Sequence, residues 1–224
     1  MSILEEILAH KSQEVKEQRE KVSVQSLEES IYFNRPIVSM KAHLKRDDKV
    51  GIISEIKRGS PSQGVINNQI DVEQLSTAYI QAGATALSVL SDHKYFGGTL
   101  KDVQTARKFN ACPILRKEFI IDEYQLIEAR SVGADCILLI AAALPEKRCE
   151  ELARFAKKLG LEVLLEVNNK EEIDSHLSED VDIVGVNNRN LHDFTTSIDT
   201  SIALAQYIPD EFVKISESGI TQAE

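Results

Sequence analysis

Apolar positions along the chain follow two rhythms, and the change comes near residue 50. Ile3, Ile7 and Leu8 recur at helical spacing and Val15 follows two turns later, with Glu, Lys and Gln mostly between them. That spacing predicts an amphipathic helix over about residues 3–20. Residues 22–49 are mixed, with the breaker Asn34-Arg35-Pro36 and the charged run KRDDK, and read as a short second helix and a connector. From there on, short apolar runs begin near Gly51, Ala86, Pro113, Ala134, Leu161, Ile183 and Val213. Amphipathic stretches such as VEQLSTAYIQAG and CEELARFAKKLG lie between them. Gly83, Gly133 and Gly160 come just before the next run, where a left-handed glycine ends a helix. The runs CILLIAAA and EVLLEV are almost continuously apolar, as parallel strands covered on both faces should be. Strand–helix alternation at this pitch predicts an α/β fold with a parallel sheet.

Two parallel arrangements compete. A doubly wound sheet often opens on a GxGxxG turn, which is absent. A (β/α)₈ TIM barrel instead carries its chemistry at the C-terminal ends of its strands. Polar residues recur there: Glu55-Ile56-Lys57, Ser91-Asp92, Arg116-Lys117-Glu118, Glu166, Asn187-Asn188-Arg189 and Ser216-Glu217-Ser218. Six strands of seven ending this way favour the barrel, with all these groups expected to converge on one mouth. The first strand is expected to be buried from Gly51 onward. The expected organisation is an N-terminal helical extension, 1–49, packed on the mouth of a barrel domain, 50–224. Only seven strands are found, with Thr221-Gln222-Ala223-Glu224 as the first turn of a seventh helix, so the barrel is expected to be C-terminally incomplete. That incompleteness predicts open strand edges and possible self-association.

The net charge of −10 argues against nucleic acid and anionic membranes as main partners. An anionic ligand must then be held by a local basic cluster. Cys112, Cys136 and Cys149 form no Cys-x-x-Cys pair, which points to a reducing cytoplasm. The five histidines show no metal-ligand spacing. No apolar run approaches the roughly 20 residues of a membrane helix, and MSILEEILAHKSQ is not a signal peptide.

In SEIKRGSPSQG, Glu55 and Lys57 share one strand face and point into the mouth, with Ser60-Pro61-Ser62 looping over it. LRKEF adds Lys117, LLEV adds Glu166, and GVNNRN adds Asn187 and Arg189. Two lysines, two glutamates and an amide suit acid–base work on an anionic substrate. A lysine near another cation is expected to lose proton affinity, while one beside Glu55 keeps its charge. The alternative is a neutralising ion-pair network.

SEIKRGSPS (54–62), LSVLSDHKYFGG (87–98), ILRKEFIIDEYQLIEAR (114–130), ADCILLI (134–140), LLEV (164–167), VGVNNRNL (184–191) and ISESGI (215–220) together resemble the indole-3-glycerol-phosphate synthase family of tryptophan biosynthesis. The resemblance spans essentially the whole chain. It implies closure of 1-(2-carboxyphenylamino)-1-deoxyribulose 5-phosphate to indole-3-glycerol phosphate, with loss of carbon dioxide and water, and implies no cofactor or metal and a monomeric intact enzyme. By the same resemblance, Lys117 is the general acid for carbon–carbon bond formation. Lys57 engages the substrate carboxylate, Glu166 is the base for dehydration, and Glu55 and Asn187 position the substrate. Ser60, Phe96 and Ser218 are further site residues, with Phe96 beside the aromatic ring. Arg189 and Glu217 order the site, and Ser60 and the Gly219 backbone serve the phosphate. Asn168 departs from the family, which often has histidine there. Three other readings stand beside this one. They are a Schiff-base lyase using Lys117, a barrel that only binds ligand or partner, and a phosphoribosylanthranilate isomerase-like barrel.

Overall fold

The structure is a computed structural model that describes residues 2–190 and 195–220. Leu191, which ends the VGVNNRNL motif, and the expected helical turn at 221–224 lie outside them. Ser2 caps α1 (Ile3–Lys21): its hydroxyl accepts the Glu5 N–H and the Glu5 carboxylate accepts the Ser2 N–H. The residues buried along α1 are Ile7, Lys11 and Val15. The 22–49 stretch holds two short helices, α2 (Val24–Glu28) and α3 (Met40–Leu44), where one was expected. Then come β1 (Ile53–Ile56), a hairpin of β2 (Gly59–Ser60) and β3 (Gly64–Val65), α4 (Val72–Gln81), β4 (Ala86–Leu90), α5 (Leu100–Phe109), β5 (Ile114–Lys117) and α6 (Glu123–Ser131). The chain continues through β6 (Cys136–Ile140), α7 (Glu146–Lys158), β7 (Glu162–Val167), α8 (Lys170–His176), β8 (Ile183–Asn187), α9 (Asp199–Ala205) and β9 (Val213–Glu217).

The seven apolar runs become one all-parallel sheet in the order β1-β4-β5-β6-β7-β8-β9. Gly83, Gly133 and Gly160 have φ of 102°, 86° and 74°, each two residues past a helix. One side-chain set faces the inside of the sheet: Ala86, Leu115, Cys136, Leu138, Leu164, Ile183 and Val213 cluster there with Met40 of α3. The alternate set, including Val89, Ile137, Leu139, Val163 and Leu165, packs against the helices. A direct contact shows that the sheet curls. Adjacent strands lie about 4.8 Å apart, so a flat sheet would hold β5 and β9 roughly 19 Å apart. Yet the Lys117 ammonium of β5 pairs with the Glu217 carboxylate of β9. This is TIM-barrel-like architecture.

The first strand starts later than its apolar run. Gly51 turns with φ 70° and Ile52 is 55% exposed, so neither is a buried strand residue. The reason is position. β1 is an outer strand with one partner, β4, among the described residues, and it is only half-buried along its length.

Carboxylates at the strand starts tie the segment before β1 to the sheet. Buried Asp135 is paired with Arg107 (2.6 Å) and Arg35, and it accepts the backbone N–H groups of Val38 (2.7 Å) and Ile114 (2.8 Å). Glu162, at the start of β7, accepts the N–H groups of Met40 (2.6 Å) and Lys41 (3.0 Å) and so caps α3. Met40, fully buried, is thereby fixed against the strand starts on the inner face. Higher up, the Tyr124 hydroxyl of α6 donates to the carbonyls of Gln18 (3.2 Å) and Val22 (2.8 Å), fastening the end of α1.

Asp135→Ala strips two guanidinium groups and two backbone donors of one shared acceptor. Breaking a buried pair from one side costs about 3–5 kcal/mol. Urea unfolding followed by circular dichroism should show a loss of that size, and a loss below about 1 kcal/mol would mean that Asp135 does not anchor the segment.

Candidate active site

Strand parity assembles the site. On six of the seven strands the inward series carries a polar group near its end: Ile53, Glu55, Lys57; Ala86, Ser88; Leu115, Lys117; Leu164, Glu166; Ile183, Gly185, Asn187; Val213, Ile215, Glu217; on β6 it stays apolar, Cys136, Leu138, Ile140. The lower members are apolar and pack together, so the charged ends stand on a dry floor. Lys117 lies among them, with its side chain 17% exposed. Its ammonium is 3.2 Å from Glu166 Oε2 and pairs with Glu217. Glu166 Oε1 accepts from Asn187 Nδ2 at 3.0 Å. Asn187 Oδ1 in turn accepts the Ser218 hydroxyl (2.9 Å) and the Arg189 N–H (3.0 Å). On the other side, Glu55 pairs with Lys57 at 2.9 Å and accepts the Ser88 hydroxyl at 3.1 Å.

Burial alone would make Lys117 a weaker base. Glu217, Glu166 and Glu55 outweigh burial, so its proton affinity rises above that of an ordinary lysine. This corrects the expectation that clustered lysines lose affinity, because the groups facing Lys117 are carboxylates. Burial pushes the Glu217 carboxyl up, and Glu166 pushes the same way against the opposing pull of Lys117. Burial would also raise Glu55, but Lys117, Lys57 and the Lys57 and Ser88 hydrogen bonds hold it below the usual carboxylate value. Two ammonium groups thus face three carboxylates.

The remaining expected site residues lie around this set. Ser60 sits in β2, 3.3 Å from the Ser62 hydroxyl, and accepts the Gln63 N–H at 3.2 Å. Phe96 packs on Phe119, with ring centroids 5.9 Å apart. Arg189 bridges to Thr196 through its backbone. Ser218 and Gly219 both take left-handed φ, 67° and 74°, and a side chain at Gly219 would collide with Thr196. A positive φ at Ser218 is strained for a residue with a Cβ, and it is what brings the hydroxyl onto Asn187.

Not all strand-end polar groups converge on the mouth. Ser91, Asp92, Arg116 and Glu118 are buried on the outer side, where Ser91 donates to Glu118 (2.7 Å) and Arg116 meets Glu128 (3.2 Å). Asn188 and Ser216 bond each other at 2.8 Å and also meet Ser201 near α9. Arg116, Glu118, Asn188 and Ser216 are each one residue out of phase with an inward group, and Ser91 and Asp92 lie past the end of β4. Sequence reasoning missed Ser88, Phe119, Gly185 and Lys11. Ser88 was visible as the lone polar residue of ALSVL, and Phe119 as the residue two beyond Lys117. Gly185 is small because a Cβ there would strike Glu217 Oε1. Among the described residues no cluster of metal-binding side chains occurs, and no helix is long and apolar enough to cross a membrane.

Known proteins resemble this chain in fold and in sequence. Two solved structures share the fold. One is a chain of the tryptophan synthase α2β2 complex from Pyrococcus furiosus (TM-score 0.53, 14% identity, 75% of this chain and 78% of that one). The other is the native KDPGal structure (TM-score 0.51, 16% identity, 77% and 74%). At those identities they speak for the fold alone. A curated relative from Bacteroides thetaiotaomicron, indole-3-glycerol phosphate synthase, is 49% identical over 222 residues, covering 99% of this chain and 85% of its own length. The model of the indole-3-glycerol phosphate synthase family matches residues 4–224. On the match to the family model and the identity to this relative, the chain belongs to the indole-3-glycerol phosphate synthase family.

Proposed function

We propose that this chain closes the indole ring of indole-3-glycerol phosphate from 1-(2-carboxyphenylamino)-1-deoxyribulose 5-phosphate, as a carboxy-lyase of tryptophan biosynthesis. The observation that carries the reading is Lys117, a buried ammonium held between Glu166 and Glu217 at the end of β5. The aromatic carbon bearing the carboxylate attacks the ribulose carbonyl carbon, and Lys117 protonates the carbonyl oxygen as negative charge builds there. Carbon dioxide then leaves and the arene is restored. In the dehydration, Glu166 takes a proton from the methylene carbon beside nitrogen while the new hydroxyl departs as water. Lys57 engages the substrate carboxylate and is the proton donor available to the leaving hydroxyl. Glu55 and Asn187 orient these groups, as their bonds to Lys57 and Glu166 suggest.

Around them, Phe96 flanks the aryl ring, and Ser60 and the Gly219 backbone N–H serve the phosphate. Ser218, Glu217 and Arg189 hold the polar rim in place. The roles call on the chain's own groups, without cofactor or metal, and suit a small anionic sugar phosphate in the cytoplasm. Residues 1–49 act as an extension of the barrel that helps keep water from the mouth.

A Schiff-base route needs a neutral Lys117 amine. The three carboxylates that hold its proton speak against that route. Borohydride with a ketose phosphate should therefore trap no adduct.

Lys117→Ala should abolish ring closure while leaving substrate binding largely in place. Loss of a positioned general acid costs on the order of 10²–10⁴ in rate. Turnover above about a tenth of the parent's would defeat the assignment. Glu166→Gln should keep the fold and stall the dehydration, so that quenched-flow samples accumulate a ring-closed intermediate. Arrest before carbon–carbon bond formation would give Glu166 another task.

A further inference from the structure

Lys11 is the odd member of the buried stripe of α1. It lies midway between Ile7 and Val15 and is 1% exposed. Its ammonium is 2.9 Å from Asp92 Oδ2, 3.0 Å from Glu118 Oε1 and 2.9 Å from Glu14 Oε2. Burial would lower its proton affinity, but Glu118, Asp92 and Glu14 reverse that and keep it charged. Beside it lies a cavity of about 290 Å³ whose walls include Val15, Ser91, Arg116, Glu118 and Glu128. Between the buried Ile7 and Val15, the middle of α1 is therefore held by charge.

Its two barrel partners organise two loops. Asp92 follows β4, accepts the Tyr95 N–H on its side chain at 2.7 Å and accepts the Gly98 N–H on its carbonyl at 2.8 Å, which shapes the turn containing Phe96. Glu118 follows Lys117 directly and accepts the Phe119 N–H at 2.9 Å. One ammonium thus spans the turn of Phe96 and the backbone that carries both Lys117 and Phe119. Without it, two buried carboxylates would face each other with Arg116, 3.6 Å from Glu118, as the nearby cation.

We propose that Lys11 is a positioning residue: by neutralising Asp92 and Glu118 together, it locks the loops after β4 and β5 so that Phe96 and Phe119 stand side by side at the mouth. It thereby couples the seating of the N-terminal helix to binding of the substrate's aryl group. The second clause rests on the synthase reading, whereas the loop lock does not.

The test compares the parent chain with Lys11→Met, the double variant Lys11→Met/Glu118→Gln, and Glu17→Gln, which does not touch Lys11, as a control on α1. Hydrogen exchange at the Tyr95 and Phe119 amides reads the loop lock, and steady-state kinetics read the coupling. Lys11→Met should speed exchange at both amides at least tenfold and raise KM at least tenfold, with kcat falling less than KM rises. Glu118→Gln in the same background removes one of the two facing charges and should restore a good part of both losses, while Glu17→Gln should stay within about twofold of the parent. Unchanged exchange in Lys11→Met would overturn the lock. Unchanged KM with faster exchange would overturn the coupling. A loss that tracks general unfolding and is not rescued by Glu118→Gln would reduce Lys11 to a structural residue and overturn the proposal. Absence of turnover in the parent would overturn the synthase reading, and the exchange rates would still decide the lock.

Discussion

A buried ammonium must find its partners, and the mouth of this protein is arranged around that need. Lys117 stands on an apolar floor of Leu115, Leu138 and Leu164, so water cannot take the place of counter-ions. An unpaired charge there costs several kcal/mol. The partners come from β7 and β9, with β1 acting through its field. Along the sheet these strands are two to four places from β5. The charge is compensated only when the sheet curls, so correct curvature and a formed site are one condition rather than two.

The same alternation creates a second buried polar layer one residue out of phase. Lys117 faces inward, while Arg116 and Glu118, each 3% exposed, face the helices. The inner layer forms the candidate site, and the outer layer holds α1 and α6 in place through Lys11 and Glu128. Because neighbours in sequence belong to different layers, the backbone at 116–119 joins them rigidly. A shift that relieves the outer network displaces Lys117 by the same step. At the far end of the strands, Asp135 and Glu162 secure the segment that carries Met40 into the sheet's inner face, so residues 35–41 and α1 grip the strands from opposite ends.

Much of this was legible in the chain. The spacing of Ile3, Ile7 and Val15 gave α1 nearly to the residue, and Gly83, Gly133 and Gly160 marked helix ends. Lys57, Lys117, Glu166 and Asn187 stood out because charges ended apolar runs. What was misread was parity. Leu115 and Phe119 are apolar at two-residue spacing around Lys117, which fixes Arg116 and Glu118 on the other face, yet strand ends look uniformly polar when read as clusters. Gly51 and Ile52 were misread because an apolar run does not say which strand lies at a sheet's edge. Lys11 was hidden for a different reason. A lysine in an apolar stripe reads as a flaw until its partners are known, and Asp92 and Glu118 lie 81 and 107 residues away in sequence.

The charge balance of the mouth carries one more consequence for the proposed chemistry. A general acid works best when its proton affinity matches the group it protonates, and three carboxylates make Lys117 hold its proton too firmly for that. Burial and Glu166 push the Glu217 carboxyl up against the pull of Lys117, and a proton there would weaken that hold. A substrate carboxylate arriving at Lys57 adds further negative charge nearby and favours the same protonation. With Glu217 neutral, Lys117 keeps fewer opposing charges, and the oxygen that gains electrons as the ring closes becomes its strongest partner. The crowding of carboxylates that stabilises the ammonium at rest thus supplies, through one proton, the means to release it.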